Sequence, residues 1–131
     1  MMAPVLILLA DDDAAMRGML GTSLRREGFE VDECSDGKEL IDRLQAARDG
    51  SRAPDLVVSD LRMPGLSGFD VLHWIRASLP AVPLILITAF GDTQTHRRAE
   101  ELGAAAIVDK PFDLQVFHDH VSRVLSSNAN G

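Results

Sequence analysis

Five short apolar runs punctuate the chain: Val5–Leu9, Phe29–Cys34, Leu56–Ser59, Leu84–Thr88 and Ala105–Val108. Four of them are nearly continuous, as expected of strands covered on both faces of a parallel sheet. Phe29–Cys34 alternates instead, which predicts a strand at the sheet edge. Segments of helical period lie between the runs. Met16, Leu20 and Leu24 mark the first stripe, closed by Gly28 as a C-terminal cap. Leu40, Ile41 and Leu44 mark the second. Phe69, Leu72, Ile75 and Leu79 mark the third, which stops before Pro80, and Leu114, Phe117, Val121 and Leu125 mark the fifth. The fourth segment, between Gly91 and Gly103, offers only Ala99 and Leu102 against Asp92, Arg97, Arg98, Glu100 and Glu101. A helix with so little apolar face gains little from packing, so it is predicted to be the most mobile element.

A strand–helix order repeated five times implies an α/β domain, a parallel sheet with helices on both faces. Right-handed crossovers leave few topologies. The flavodoxin-like, doubly wound five-stranded order 2-1-3-4-5 fits, because it puts the alternating second strand at an edge. Residues 1–126 are expected to form one domain, with 127–131 a disordered tail or the start of a linker.

Composition narrows the setting. A chain of 131 residues suits one domain with a core large enough to need no staples. A single cysteine, Cys34, permits no internal disulfide, and with no Cys/His cluster a reducing cytoplasm is the simplest setting. The apolar runs are too short to cross a bilayer, and no basic stretch precedes the first of them. A net charge of −7 argues against direct nucleic-acid binding by this domain, and leaves DNA binding by an attached domain open.

Chemistry is expected where the strand order reverses, beyond the carboxyl ends of strands 1 and 3. Strand 1 runs out into Asp11, Asp12 and Asp13, and strand 3 ends in Asp60. Strands 4 and 5 end at Thr88 and at Lys110. Carboxylates a few ångströms apart repel, and a cluster that stays ionised wants a divalent cation. All-oxygen ligation favours Mg²⁺ or Mn²⁺ over zinc. A metal, a carboxylate nucleophile, a hydroxyl and a lysine together make the equipment for phosphoryl transfer through an aspartyl phosphate.

The stretches "LLADDDAAMRGML", "DLVVSDLRMPGLSG", "LILITAFGD" and "LGAAAIVDKPFD" occur in that order and spacing. Together they resemble the receiver domain of bacterial two-component response regulators, of the chemotaxis and nitrogen-regulation type. The likeness runs from about Val5 to the last helix. It implies a phosphorylation-activated signalling switch with Asp60 as phosphoacceptor, and no enzyme beyond its own phosphorylation and dephosphorylation. Asp12 would be a direct Mg²⁺ ligand, Asp11 its partner through water, and the main-chain carbonyl of Arg62 a further ligand. Thr88 would donate its hydroxyl to the phosphoryl group and Lys110 would pair with it, after a cis Lys110–Pro111 bond. The implied partners are a sensor histidine kinase or phosphotransfer protein and an output protein or attached output domain, with a homodimer on phosphorylation compatible. The family draws the Thr88 position toward the phosphoryl group, turns an aromatic on strand 5 inward, and changes the helix 4/strand 5/helix 5 face. Ile107 stands at the aromatic position, so reorientation of helix 4 is expected to carry most of the signal.

Simpler roles fit the remaining residues. Asp13 belongs at a helix N-cap. Arg62 and Phe90, each two residues beyond a site residue, would shield an acyl phosphate from water. His118 and His120 lie two apart on a helix and point to different faces, so both are read as solvated rather than as metal ligands. His73 and His96 show no metal-site partner. Trp74 lies off its helix's apolar stripe and reads as partly covered, and Cys34 reads as structural. Two rivals share the fold. A small Mg²⁺-dependent aspartyl-phosphate phosphatase of the haloacid-dehalogenase kind wants Asp-x-Asp-x-Thr/Val, whereas Ala15 follows Asp11 and Asp13 here. A flavin module wants a phosphate loop after strand 1, where three aspartates would repel it.

Overall fold

The computed structural model describes residues 3–89 and 91–130. Five strands, β1 (Leu6–Ala10), β2 (Glu30–Cys34), β3 (Leu56–Asp60), β4 (Leu84–Thr88) and β5 (Ala106–Asp109), alternate with five helices. The helices are α1 (Ala14–Arg26), α2 (Gly37–Arg48), α3 (Gly68–Ser78), α4 (Thr93–Glu101) and α5 (Leu114–Asn130). All strands pair in parallel in the order β2-β1-β3-β4-β5, the flavodoxin-like order the pattern predicts. Every residue of β3 and β4 is buried, whereas in β2 only Cys34 is, as its alternation foretells for an edge strand.

The pleat sorts the core into two layers. Ile7, Leu9, Val58 and Ile87 face Leu20, Leu24, Phe117 and Val121 of α1 and α5. Leu8, Val57 and Leu86 face Leu40, Leu44, Val71, Leu72 and Ile75 of α2 and α3. Each fully buried side chain of this kind contributes about 1.5–3 kcal/mol. Helix starts are fixed by acceptors: Asp13 takes the amides of Ala15 and Met16, Asp36 that of Glu39, and Asp92 that of Thr95. Ser67 and Asp70 close a reciprocal capping box on α3.

Two features of α5 differ from expectation. Leu114 is exposed (39%), and Val124 joins Phe117 and Val121 in the core. Leu114 is the first residue of the helix and lines a surface hollow with Ser23, Arg26 and Glu27 at the end of α1. The helix also runs through Asn130, so residues 127–130 continue it. The segment 126–130 holds neither Gly nor Pro to stop it. Among the described residues no helix is long and apolar enough to cross a membrane.

Candidate functional site

Four adjacent strands deliver the predicted site residues to one edge. β1 lies beside β3, β3 beside β4 and β4 beside β5, with Ala10 opposite Ser59, Asp60 opposite Ile87 and Thr88 opposite Asp109. Asp11 is the residue after β1, and its amide still bonds the Cys34 carbonyl at 3.2 Å. One carboxylate oxygen from each of Asp11, Asp12 and Asp60 lies within 4.8 Å of the other two. Asp11 and Asp60 are buried and Asp12 is exposed, so the cluster has a sealed floor and an open side. Thr88 is buried at the end of β4. The Lys110 amide bonds the Thr88 carbonyl at 2.7 Å, and the Lys110–Pro111 bond is cis. The Lys110 ammonium Nζ lies 3.4 Å from Asp60 Oδ2 and 4.0 Å from Asp11 Oδ2.

The loop after β3 is held tightly. The Gly68 amide bonds the Leu61 carbonyl at 2.8 Å. A Cβ at Gly68 would come within 2.7 Å of the Leu86 side chain and 2.9 Å of the Asp60 carbonyl, so only glycine lets α3 start this close to the phosphoacceptor candidate. Gly65, in the Met63-Pro64-Gly65 turn, has φ +82°. Arg62 lines a cavity of about 580 Å³ together with Asp12, Met63, Pro64, Phe69 and Thr95. Phe90 lies outside the described residues.

Burial sets the electrostatics. It pushes the Asp11 carboxyl above its ordinary value, and repulsion from Asp60 and Asp12 adds to it, against the Asp13 amide and Lys110. It does the same to Asp60, where Asp12 adds and Lys110 opposes. Asp11 Oδ1 accepts the Asp13 amide at 2.9 Å, but buried Oδ2 has no hydrogen-bond partner among the described residues. A buried carboxylate oxygen without a donor is costly. A hard divalent cation between the three carboxylates would satisfy it, and an all-oxygen donor set suits such an ion. The residues therefore fit a metal ion.

Other candidates fall into place elsewhere. Asp13 is the N-cap of α1. Cys34 is fully buried, and burial pushes its thiol up to about 12, which leaves it structural. Trp74 is half-buried under the Arg48 guanidinium, 5.5 Å from the ring centroid. Ile107 is half-buried on β5. His118 and His120 do face apart, but neither is simply solvated. His118 meets Ser23 of α1 and Glu27 at its C-cap, and His120 keeps a buried Nδ1. Their helix packs against α1 and β5, a neighbourhood that helical period alone does not identify. Burial, then Arg123, holds the His120 imidazole below its ordinary value. His96, unassigned in the sequence, bonds both carboxylate oxygens of Asp109, at 2.9 and 3.0 Å. Sequence reasoning missed Gly68 and His96; the "LSG" before a helix start was the available signal for the first.

A family model described as the response regulator receiver domain matches residues 7–122. The sporulation initiation phosphotransferase F of Bacillus subtilis is 29% identical over 95% of this chain and 96% of its own length. The DNA-binding transcriptional regulator NtrC of Rhizobium meliloti is 39% identical over 92% of this chain, which spans 24% of NtrC. The chain likewise spans 46% of the probable transcriptional regulatory protein TcrX of Mycobacterium tuberculosis, at 35% identity. Among solved structures, the non-phosphorylated HemR receiver domain of Leptospira biflexa superposes with a TM-score of 0.84 at 33% identity, over 93% of this chain and 94% of that one.

Proposed function

The chain belongs to the response regulator receiver domain family, and on that premise we propose that Asp60 is the phosphoacceptor of a signalling switch. Receiver domains of this family work with histidine kinases or phosphotransfer proteins, and this chain is a signalling domain of that kind. The observation that carries the assignment to Asp60 is the convergence of its carboxylate with those of Asp11 and Asp12, beside Lys110 at 3.4 Å.

In the proposed reaction a carboxylate oxygen of Asp60 forms a bond to phosphorus as the P–N bond of a phosphohistidine donor breaks. The departing imidazole takes up a proton. Lys110 offsets negative charge on Asp60 and the incoming phosphoryl oxygens. Thr88 donates its hydroxyl to one of those oxygens. Asp11, Asp12, Asp60 and the Arg62 carbonyl would hold Mg²⁺, or Mn²⁺ in its place, and the bound ion supplies charge neutralisation for the transfer. Ile107 is aliphatic where the family turns an aromatic, so the signal runs through α4 and the α4/β5/α5 face. The output partner is another protein or an attached domain, and the working compartment is the cytoplasm.

The test is incubation with Mg²⁺ and a small acyl-phosphate donor, read by intact mass. Wild type gains one hydroxylamine-sensitive phosphoryl group, Asp60→Asn gains none, and chelating the metal abolishes the gain. A wild type that gains nothing contradicts the assignment. Generic phosphomonoesters are not turned over, which separates this function from the phosphatase one.

A further inference from the structure

Arg17 lies one turn into α1, beside the acidic site but outside the group that handles phosphoryl chemistry. Its Nη1 donates to the main-chain carbonyl of Asp11 at 2.7 Å. The Asp11 amide already bonds Cys34, so both polar groups of this residue's main chain are held, one by β2 and one by Arg17. The direction of that carbonyl sets the 11–12 peptide, and the peptide sets where the Asp12 side chain leaves the backbone.

Arg17 is itself held. Its Nε lies 3.4 Å from Glu33 Oε1 on β2. Glu33 Oε2 lies 2.8 Å from Arg25 Nη1, and Arg25 Nη2 bonds the Val31 carbonyl at 3.0 Å. One carboxylate is thus gripped between two arginines. Gly21 makes the room, because a Cβ there would sit 2.9 Å from Glu33 Oε2 and 3.2 Å from Arg25 Nη1. The Arg17 and Glu33 side chains are only 20% and 26% exposed, so water screens them less than an open surface pair.

An unmasked guanidinium bonded to the main chain of a cation-site residue would repel a divalent cation. Glu33 offsets that charge while leaving the fork free to bond the Asp11 carbonyl. We propose that Arg17 is a positioning residue for the cation site, acting through the Asp11 main chain, with Glu33 masking its charge. The proposal rests on reading Asp11, Asp12 and Asp60 as that site. It links the sheet edge at β2 to cation affinity, through side chains that need touch neither the ion nor the phosphoryl group.

Calorimetric titration of the full chain with Mg²⁺ alone tests it, with thermal melts confirming that each variant is folded. Arg17→Ala binds Mg²⁺ about tenfold more weakly, the scale of one charge-assisted hydrogen bond. Arg17→Lys recovers part of the loss, because it restores a donor but not the fork. Glu33→Gln also weakens binding, and its deficit shrinks as salt is raised, the mark of an unmasked charge. With the acyl-phosphate donor, the Mg²⁺ concentration for half-maximal phosphorylation of Arg17→Ala rises, while its rate at saturating Mg²⁺ stays within about twofold. Wild-type Mg²⁺ affinity in folded Arg17→Ala overturns the proposal. Should that variant fail to fold, wild-type affinity in both Arg17→Lys and Glu33→Gln overturns it. A wild type that binds no Mg²⁺ overturns the cation-site reading itself, a separate and distinguishable result.

Discussion

Helices α3 and α4 follow neighbouring strands, and each begins shortly after a residue of the site, Asp60 or Thr88. Their attachments differ in kind. α3 buries Gly68, Val71, Leu72 and Ile75 and starts from a capping box. α4 is nine residues long, and Ala99 is its buried residue. Among the described residues, Leu102 at its C-cap adds a half-buried apolar contact, and the other holds are polar or ring contacts: His96 on Asp109 of β5, and the Arg98 guanidinium 4.8 Å from the Phe69 ring centroid on α3. Three buried branched side chains contribute about 1.5–3 kcal/mol each, against about 0.8 kcal/mol for one methyl group. A cation–π contact or a partly exposed side-chain hydrogen bond adds about 0.5–1 kcal/mol. The helix after Asp60 is thus deeply packed and the helix after Thr88 lightly packed, which suits the proposed switch, with Asp60 as a still acceptor and α4 as its moving readout.

The comparison breaks most directly under truncation. Ile75→Ala in α3 should cost about 2–5 kcal/mol in urea unfolding. Ala99→Gly in α4 should cost about 1 kcal/mol, mostly helix propensity plus one lost methyl contact. Equal losses would mean that the two helices are anchored alike.

A smaller effect sharpens the fixed side. Burial raises the folded pKa of Asp60 and Asp11, so the native state keeps protons that the unfolded chain has released. Stability therefore falls as pH climbs from the ordinary carboxylate value through the raised folded values, and acidification restores it. Without divalent cation at neutral pH, Asp60→Asn should melt a few degrees higher than wild type. The gap should close below the ordinary carboxylate range. Saturating Mg²⁺ should raise the wild-type melting temperature more than that of Asp60→Asn. A wild type equally stable across this pH range would deny that the carboxyls are strained by burial.

The smallest effect concerns the loose side. His96→Ala should cost under about 1 kcal/mol, because the pair with Asp109 is partly exposed. It should nevertheless speed amide exchange in residues 93–101 and leave residues 68–78 unchanged. Acceleration in both segments would remove the distinction.

Much of this was legible in the chain because the relevant physics is local or follows from topology. Strands buried on both faces must be continuously apolar, so the runs marked each strand to within one residue of its bounds. Strand order then placed Asp11, Asp60, Thr88 and Lys110 along one edge without any side-chain geometry. Asp13 was readable as a cap because its partners lie two and three residues away. What was not legible depends on distant neighbours. His118 meets Ser23 across 95 residues, and Arg17 meets Glu33 only once β2 lies beside β1. Leu114 fits the helical stripe, yet it faces a surface hollow beside α1. The weakness of α4 was visible as missing apolar residues, but its hold on Asp109 and Phe69 was not.

The most direct measurement is hydrogen exchange of the Mg²⁺-loaded protein with and without a beryllium fluoride phosphoryl mimic. Exchange in residues 91–103 should change on adding the mimic, while residues 68–78 keep their rates, and Asp60→Asn should show neither response. Unchanged exchange in residues 91–103 of wild type, with the mimic bound, would contradict a switch carried by α4.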